Sequence, residues 1–336
     1  MRLRFRFVTN IVALALSVVA VTAVSAQQKP QWMPGQMGLN SGIMPSPGIT
    51  YLNITINYDA STFNGPAGKP IPATGTYNVW AVENAFYFVP TQKFLKADIG
   101  GMLLFPTPAT GSLDADIPNP ALPDLGVAAG GGGLADLWLQ PFGLGWHLKR
   151  ADLNVAEGMM IPTGRYSPGA SNNVGTGYFG NHLQTGETVY ITKNKGTSAN
   201  LFTDWEVHGS RAGTNGTSKT PGQAFTMEWG LGQVLPLKKN MTQLLQLGVI
   251  GYDQWQVTDN GGTYSIGPLI LPANQIPAYA VHAVGGQLNY IAPLKNLVFN
   301  FKYEHEYKAY AHTLGNTIVF GGSWTWLHPK PQPAKP

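Results

Sequence analysis

Toward the C-terminus the chain alternates with a period of two. Leu297, Phe299, Phe301, Tyr303, His305 and Tyr307 fall on every second position, and Asn300, Lys302, Glu304, Glu306 and Lys308 lie between them. Only an extended strand sorts such a sequence onto two faces, one apolar and aromatic, the other polar and charged. The next segment repeats the pattern, with Ile318, Phe320, Trp324 and Trp326 set against Thr317, Ser323 and Thr325. Upstream, Leu52, Ile54, Ile56 and Tyr58 alternate with Asn53, Thr55, Asn57 and Asp59. Phe225, Met227, Trp229 and Leu231 alternate with Thr226, Glu228, Gly230 and Gly232.

Further strands are expected at 75–89, 95–105, 134–142, 149–161, 184–192, 200–209, 243–256 and 277–292. Lengths near ten residues suit a tilted strand crossing a bilayer. The pattern predicts an all-β chain, a transmembrane antiparallel up-and-down β-barrel of about twelve strands over residues 49–326. Glycines on the inner face, Gly230, Gly232 and Gly321, relieve crowding and permit curvature. The Gly-, Asn- and Thr-rich stretches at 164–183 and 210–222 read as extracellular loops, and 237–240 and 293–296 as short periplasmic turns. Residues 107–132, ending in Gly130 to Gly133, lack periodicity and are expected to be a loop. Residues 27–48, with Pro30, Pro34, Pro45 and Pro47, read as an irregular periplasmic N-terminal segment. Residues 327–336 read as an extended Pro-rich tail.

The first 26 residues carry Arg2, Arg4 and Arg6, an apolar stretch from Ile11 to Val24, and a Val24-Ser25-Ala26 cleavage site. This is a secretory signal peptide, too short in its apolar part to span a membrane as a helix. The whole chain has 21 basic and 17 acidic residues; removing the three signal arginines leaves 18 against 17, a net charge of +1. That balance offers no electrostatic case for nucleic acid. With no cysteine the chain has neither disulfides nor thiolate metal sites. Aromatic residues at 11% exceed what a disordered Gly- and Pro-rich chain carries.

Charge on a hydrocarbon-facing barrel surface is costly. Asp136, Glu157, Asp204, Glu206, Glu228, Asn300, Lys302, Glu304 and Glu306 are therefore the candidate pore-lining residues. Trp229, Tyr303, Tyr307, Trp324 and Trp326 are candidates for the interfacial aromatic girdle. His305 faces away from Glu304 and Glu306 on a strand, so the three do not form a metal site. The stretch from Gly213 to Thr220 approaches a phosphate-binding loop but has Ser218 where its second glycine belongs, and no helix pattern follows. No G-x-S-x-G accompanies His147, His182 and His208, so no hydrolase and no catalytic residue is assigned.

Several stretches resemble the family of predicted outer-membrane barrels named for the meta-pathway of phenol degradation. They are Gly132-Gly133-Leu134-Ala135-Asp136-Leu137-Trp138-Leu139-Gln140-Pro141, Ile161-Pro162-Thr163-Gly164-Arg165-Tyr166, Gly251-Tyr252-Asp253-Gln254-Trp255-Gln256-Val257-Thr258-Asp259 and Tyr303-Glu304-His305-Glu306-Tyr307. The resemblance implies a porin-like channel for hydrophobic or aromatic compounds, not an enzyme of phenol degradation. Such a protein sits in outer-membrane lipid, is inserted by the barrel-assembly machinery and needs no cofactor. The alternatives are a structural or adhesive barrel with a plugged lumen, and a soluble periplasmic β-sandwich with its aromatics buried between sheets.

Overall fold

The computed structural model describes residues 30–105, 107–118 and 125–326. The stretches read from the sequence as a signal peptide (1–26) and a Pro-rich tail (327–336) lie outside the described residues. The strands in chain order are β1 (Gly48–Phe63), β2 (Thr74–Val89), β3 (Lys93–Phe94), β4 (Ala97–Leu104), β5 (Pro108–Ile117), β6 (Leu125–Leu134), β7 (Leu137–His147), β8 (Ala151–Ile161), β9 (Gly180–Tyr190) and β10 (Thr197–His208). They continue with β11 (Arg211–Ala212), β12 (Ser218–Thr220), β13 (Ala224–Pro236), β14 (Leu244–Gln256), β15 (Gly261–Ile266), β16 (Leu269–Pro272), β17 (Ala280–Ala292), β18 (Leu297–Tyr310) and β19 (Thr313–Trp326).

Twelve of these form a closed antiparallel wall, β1-β2-β4-β7-β8-β9-β10-β13-β14-β17-β18-β19, with β19 pairing back onto β1. Closure leaves no free sheet edge within the wall. One end carries short connections, such as 148–150 and 293–296, and the other carries the long ones, 162–179, 209–223 and 257–279. By the general asymmetry of outer-membrane barrels, the short turns face the periplasm and the long loops the exterior. Segments of two of those loops, β11, β12, β15 and β16, pair into a separate four-stranded sheet outside the wall.

Three features differ from the sequence-based expectation. Most of the stretch expected as a loop at 107–132 is strand: β5 and β6 form a hairpin paired at every position from Pro108↔Leu134 to Ile117↔Leu125, and β5 extends the sheet along the outer half of β2. Four consecutive glycines hid the strand because they have no side chains to alternate. The described residues before β1 are irregular, as their prolines dictate, but they do not form a lead-in outside the barrel. Residues 31–44 run inside the barrel, from the level of Glu206 near the outer end of β10 to Gly145 near the foot of β7.

The third difference concerns β1. Its apolar residues face the lumen, where Leu52 and Ile54 border a cavity and the Tyr58 hydroxyl donates to Glu306 at 2.8 Å. Asn53 and Asn57 face outward and donate to Asn84 (3.0 Å) and to the Val79 carbonyl (3.2 Å) on β2. Alternation fixes that a strand has two faces but not which one meets lipid. Here the register with β19, Ile56↔Val319 and Tyr58↔Thr317, brings the apolar set inward.

Candidate functional site

The lumen contains the threaded segment, and the wall is chemically fitted to it. An irregular backbone in a bilayer-embedded interior must have its N–H and C=O groups satisfied by other protein groups. Glu206, on β10, accepts the Gln31 N–H at 2.7 Å and the Trp32 N–H at 3.1 Å. Glu228, on β13, accepts the Trp32 indole N–H at 2.8 Å and the Met37 N–H at 2.7 Å. Lys302, on β18, donates to the carbonyls of Gly35, Gln36 and Met37. Lower down, Gln287 accepts from Leu39 N–H (2.9 Å), Asn200 from Asn40 N–H (2.9 Å) and Thr188 from Gly42 N–H (3.0 Å).

Carboxylates thus take the free donors and one ammonium collects the free acceptors, and charge-assisted bonds of this kind are the stronger ones. Packing follows the same division. The Leu39 side chain occupies a hollow formed by Gly230, Gly232 and Gly248, where a Cβ on any of the three would come within 2.9 Å of it. At Gly42 a Cβ would lie 2.2 Å from the Asp152 carbonyl, so only glycine lets the segment approach the wall so closely. Gly35 has φ +91° and lies against the Glu304 carboxylate, a left-handed position that favours glycine for conformation and space alike.

The sequence-derived candidates separate in the structure. Asp204, Glu206, Glu228, Asn300, Lys302, Glu304 and Glu306 point into the lumen. Asp204 contacts His182 (3.0 Å) and Glu306 accepts from Tyr58 and from Tyr252 (2.8 Å), so these two bind wall residues. Asp136 sits at the outer mouth, between β6 and β7, and accepts from Gly164 N–H (2.9 Å), Thr176 N–H (2.8 Å) and the Thr176 hydroxyl (2.7 Å). It pins the loop 162–179 over the opening. In that loop Tyr178 is buried, and burial together with the Glu206 charge pushes its phenol well up.

Glu157 is not in the lumen. It is exposed on the outer face of β8, in phase with Leu153, Val155 and Met159, and accepts from Asn181 at 3.0 Å. Trp229, Tyr303, Tyr307, Trp324 and Trp326 project outward. The Trp324 and Trp326 rings lie tilted against each other near the periplasmic edge (centroids 5.3 Å apart), and Tyr307 lies tilted against His282 near the outer edge (6.2 Å). Asp253, also outward, accepts from the Trp229 indole at 3.0 Å and pairs with His282 at 2.6 Å.

Alternation alone missed the most consequential part of the site. Between the threaded segment and the wall formed by β1, β2, β4, β7 and β8 lies a cavity of about 430 Å³. Its walls are largely apolar: Leu52, Ile54, Ala81, Ala85, Met102, Leu104 and Met160 from the barrel, and Trp32, Met33 and Met37 from the segment. Two buried polar atoms on its lining residues lack a hydrogen-bond partner, Glu83 Oε2 and Trp138 Nε1. His182, Asp204 and Glu206 also lie close enough together to hold a cation. Glu206 instead accepts from Gln31, Trp32 and His208, and Asp204 pairs with His182.

With this geometry in view, the profile of the putative MetA-pathway of phenol degradation family matches residues 60–320. The chain belongs to that family. Two of the stretches noted in the sequence meet in space, since Asp136 holds Gly164 and Arg165 donates to the Gly132 carbonyl at 3.2 Å. Among solved structures, an outer membrane channel from Pseudomonas putida F1 superposes with a TM-score of 0.63 at 12% identity. The match covers 88% of this chain and all of that one, and it establishes the shared barrel fold. The β domain of the Bordetella autotransporter BrkA aligns at a TM-score of 0.46 and 10% identity, over 83% of this chain and all of its own. No curated protein sequence matches the chain.

Proposed function

We propose that this protein is an outer-membrane channel for passive uptake of small hydrophobic or aromatic compounds, resident in outer-membrane lipid after insertion by the barrel-assembly machinery. The observation that carries the reading is the apolar cavity of about 430 Å³ inside the barrel, with its two unpartnered polar atoms. A volume in the range of about 300–1,000 Å³, mostly apolar with a few fixed polar groups, is the usual form of a small-molecule site. A phenolic hydroxyl donating to Glu83 or accepting from Trp138 would satisfy groups that are otherwise costly to bury. Transport down a gradient needs no catalyst and no cofactor, only binding weak enough for release.

The test is uptake of labelled phenol at limiting concentration by a deletion strain, by the same strain complemented, and by one carrying Ala81→Trp, which fills the cavity. Complementation should accelerate uptake, and Ala81→Trp should abolish the gain while the protein keeps its heat-modifiable migration. Equal uptake with and without the protein would favour a second reading, a structural barrel with a closed lumen, which the threaded segment supports.

A further inference from the structure

The four-stranded sheet of the extracellular loops contains an arrangement that the lumen does not explain. Arg211 on β11 and Lys219 on β12 are directly paired across the ladder. Like charges in this relation repel and destabilise a strand pair. Lys219 is only 7% exposed, and no hydrogen bond or ion pair is made by its ammonium among the described residues. Arg211 donates to the Thr176 carbonyl at 3.4 Å and lies over the rings of Tyr166 (5.9 Å) and Tyr178 (5.8 Å), and no carboxylate of the described residues is within ion-pair distance of it. Two cations held together and largely withdrawn from water are stable when an anion sits between them.

Both side chains line one cavity of about 370 Å³. Its other walls include the rings of Tyr166 and Tyr264 and the hydroxyl residues Thr214, Thr217 and Thr263. We propose that this cavity binds a small aromatic carboxylate, its oxygens bridging Lys219 and Arg211 and its ring against Tyr166 and Tyr264. The anion site stands on the paired cations alone; the aromatic part of the ligand rests also on the uptake reading given above. A site in the outer loops, over the mouth pinned by Asp136, would collect the charged form of a solute before it reaches the apolar cavity.

Proton linkage gives a second signature. Burial, and then the neighbouring Arg211 charge, lower the Lys219 ammonium to about 7. The titratable or charged groups facing it are Arg211, Tyr166 and Tyr264, and burial raises the Tyr264 phenol. None of them supplies negative charge near neutrality. A bound carboxylate favours the ammonium form, so binding takes up a proton near pH 7 and tightens as pH falls from 9 to 6. The ligand carboxylate itself stays ionised throughout that window.

The experiment is equilibrium dialysis of the full detergent-solubilised chain against labelled benzoate, inorganic phosphate and phenol, with Lys219→Met and Arg211→Gln as variants. Both substitutions lie outside the wall, and heat-modifiable migration reports that the barrel is intact. Saturable benzoate binding should weaken at least tenfold in each variant and tighten toward pH 6, while phenol binding stays unchanged. No saturable benzoate binding to the parent protein, or equal binding by parent and variants, would overturn the proposal. Phosphate binding tighter than benzoate would replace the aromatic acid with a phosphate ligand and overturn the assignment as stated. Absence of phenol uptake with benzoate binding intact would sink the lumen reading and leave this site standing; absence of saturable benzoate binding by the parent protein with phenol uptake intact would do the reverse.

Discussion

The two halves of the barrel interior are built on opposite principles. On the side of β9, β10, β13, β14, β17 and β18, the wall presents Glu206, Glu228, Lys302, Gln287 and Asn200, and every one of them bonds the threaded backbone. On the side of β1, β2, β4, β7 and β8, the wall presents Leu52, Ile54, Ala81, Ala85, Met102 and Leu104, and space remains. Polar wall is filled by main chain, and apolar wall is left for something else. Lumen charge in this protein thus holds a peptide in place, while the surface available to a solute is the greasy one. An inside-out β1 is what makes the second half possible.

Removing the segment should erase the contrast, and it carries the largest expected effect. Deletion of residues 30–45 would expose the polar half to water and raise single-channel conductance several-fold. An unchanged conductance would show that the segment is not the obstruction. Lys302→Met attacks the polar half alone, because three carbonyls lose their shared donor. Breaking such a buried charged contact costs about 3–5 kcal/mol. The chain has no cysteine of its own, so a Met37→Cys reporter labelled with maleimide can follow release. Labelling should accelerate by two to three orders of magnitude in the Lys302→Met background; no acceleration would mean the carbonyls are held by other groups. Leu39→Ala tests the glycine hollow and should have the smallest effect. Loss of a well-packed leucine costs about 2–3 kcal/mol, so the same reporter should label tens of times faster, and a change below threefold would remove Leu39 from the anchoring account.

Much of the wall was legible, because β-barrels write their two faces into a period of two. The stretch Phe299, Phe301, Tyr303 against Asn300, Lys302, Glu304 located β18 and its lumen side without further information. Glu157 carried a usable warning, since it shares a phase with Leu153, Val155 and Met159 and so belongs to the outer face. The orientation of β1 had no such signal, because both of its faces are internally consistent and only its neighbours decide between them. The threaded segment was hidden for a different reason. Its bonds reach residues such as Glu206 and Lys302, more than 170 positions away, and no local pattern encodes contacts at that range. One clue was present: Trp32, Met33, Met37, Leu39, Ile43 and Met44 are too apolar for a solvated lead-in. They mark a chain that needs cover.

An even-stranded barrel ordinarily returns its chain to the side from which it started. Here Gln31 lies beside Glu206, two residues from the outer end of β10, while Trp326 pairs with Ile49 at the foot of the wall. The path from Gln31 to Gly48 is in effect a thirteenth passage, made through the ring and not along it. Topologically it is a thread in a closed loop, covalently joined to that loop only at Gly48. Drawing it out toward the periplasm would break side-chain bonds and vacate one glycine hollow, yet leave every strand-to-strand ladder intact.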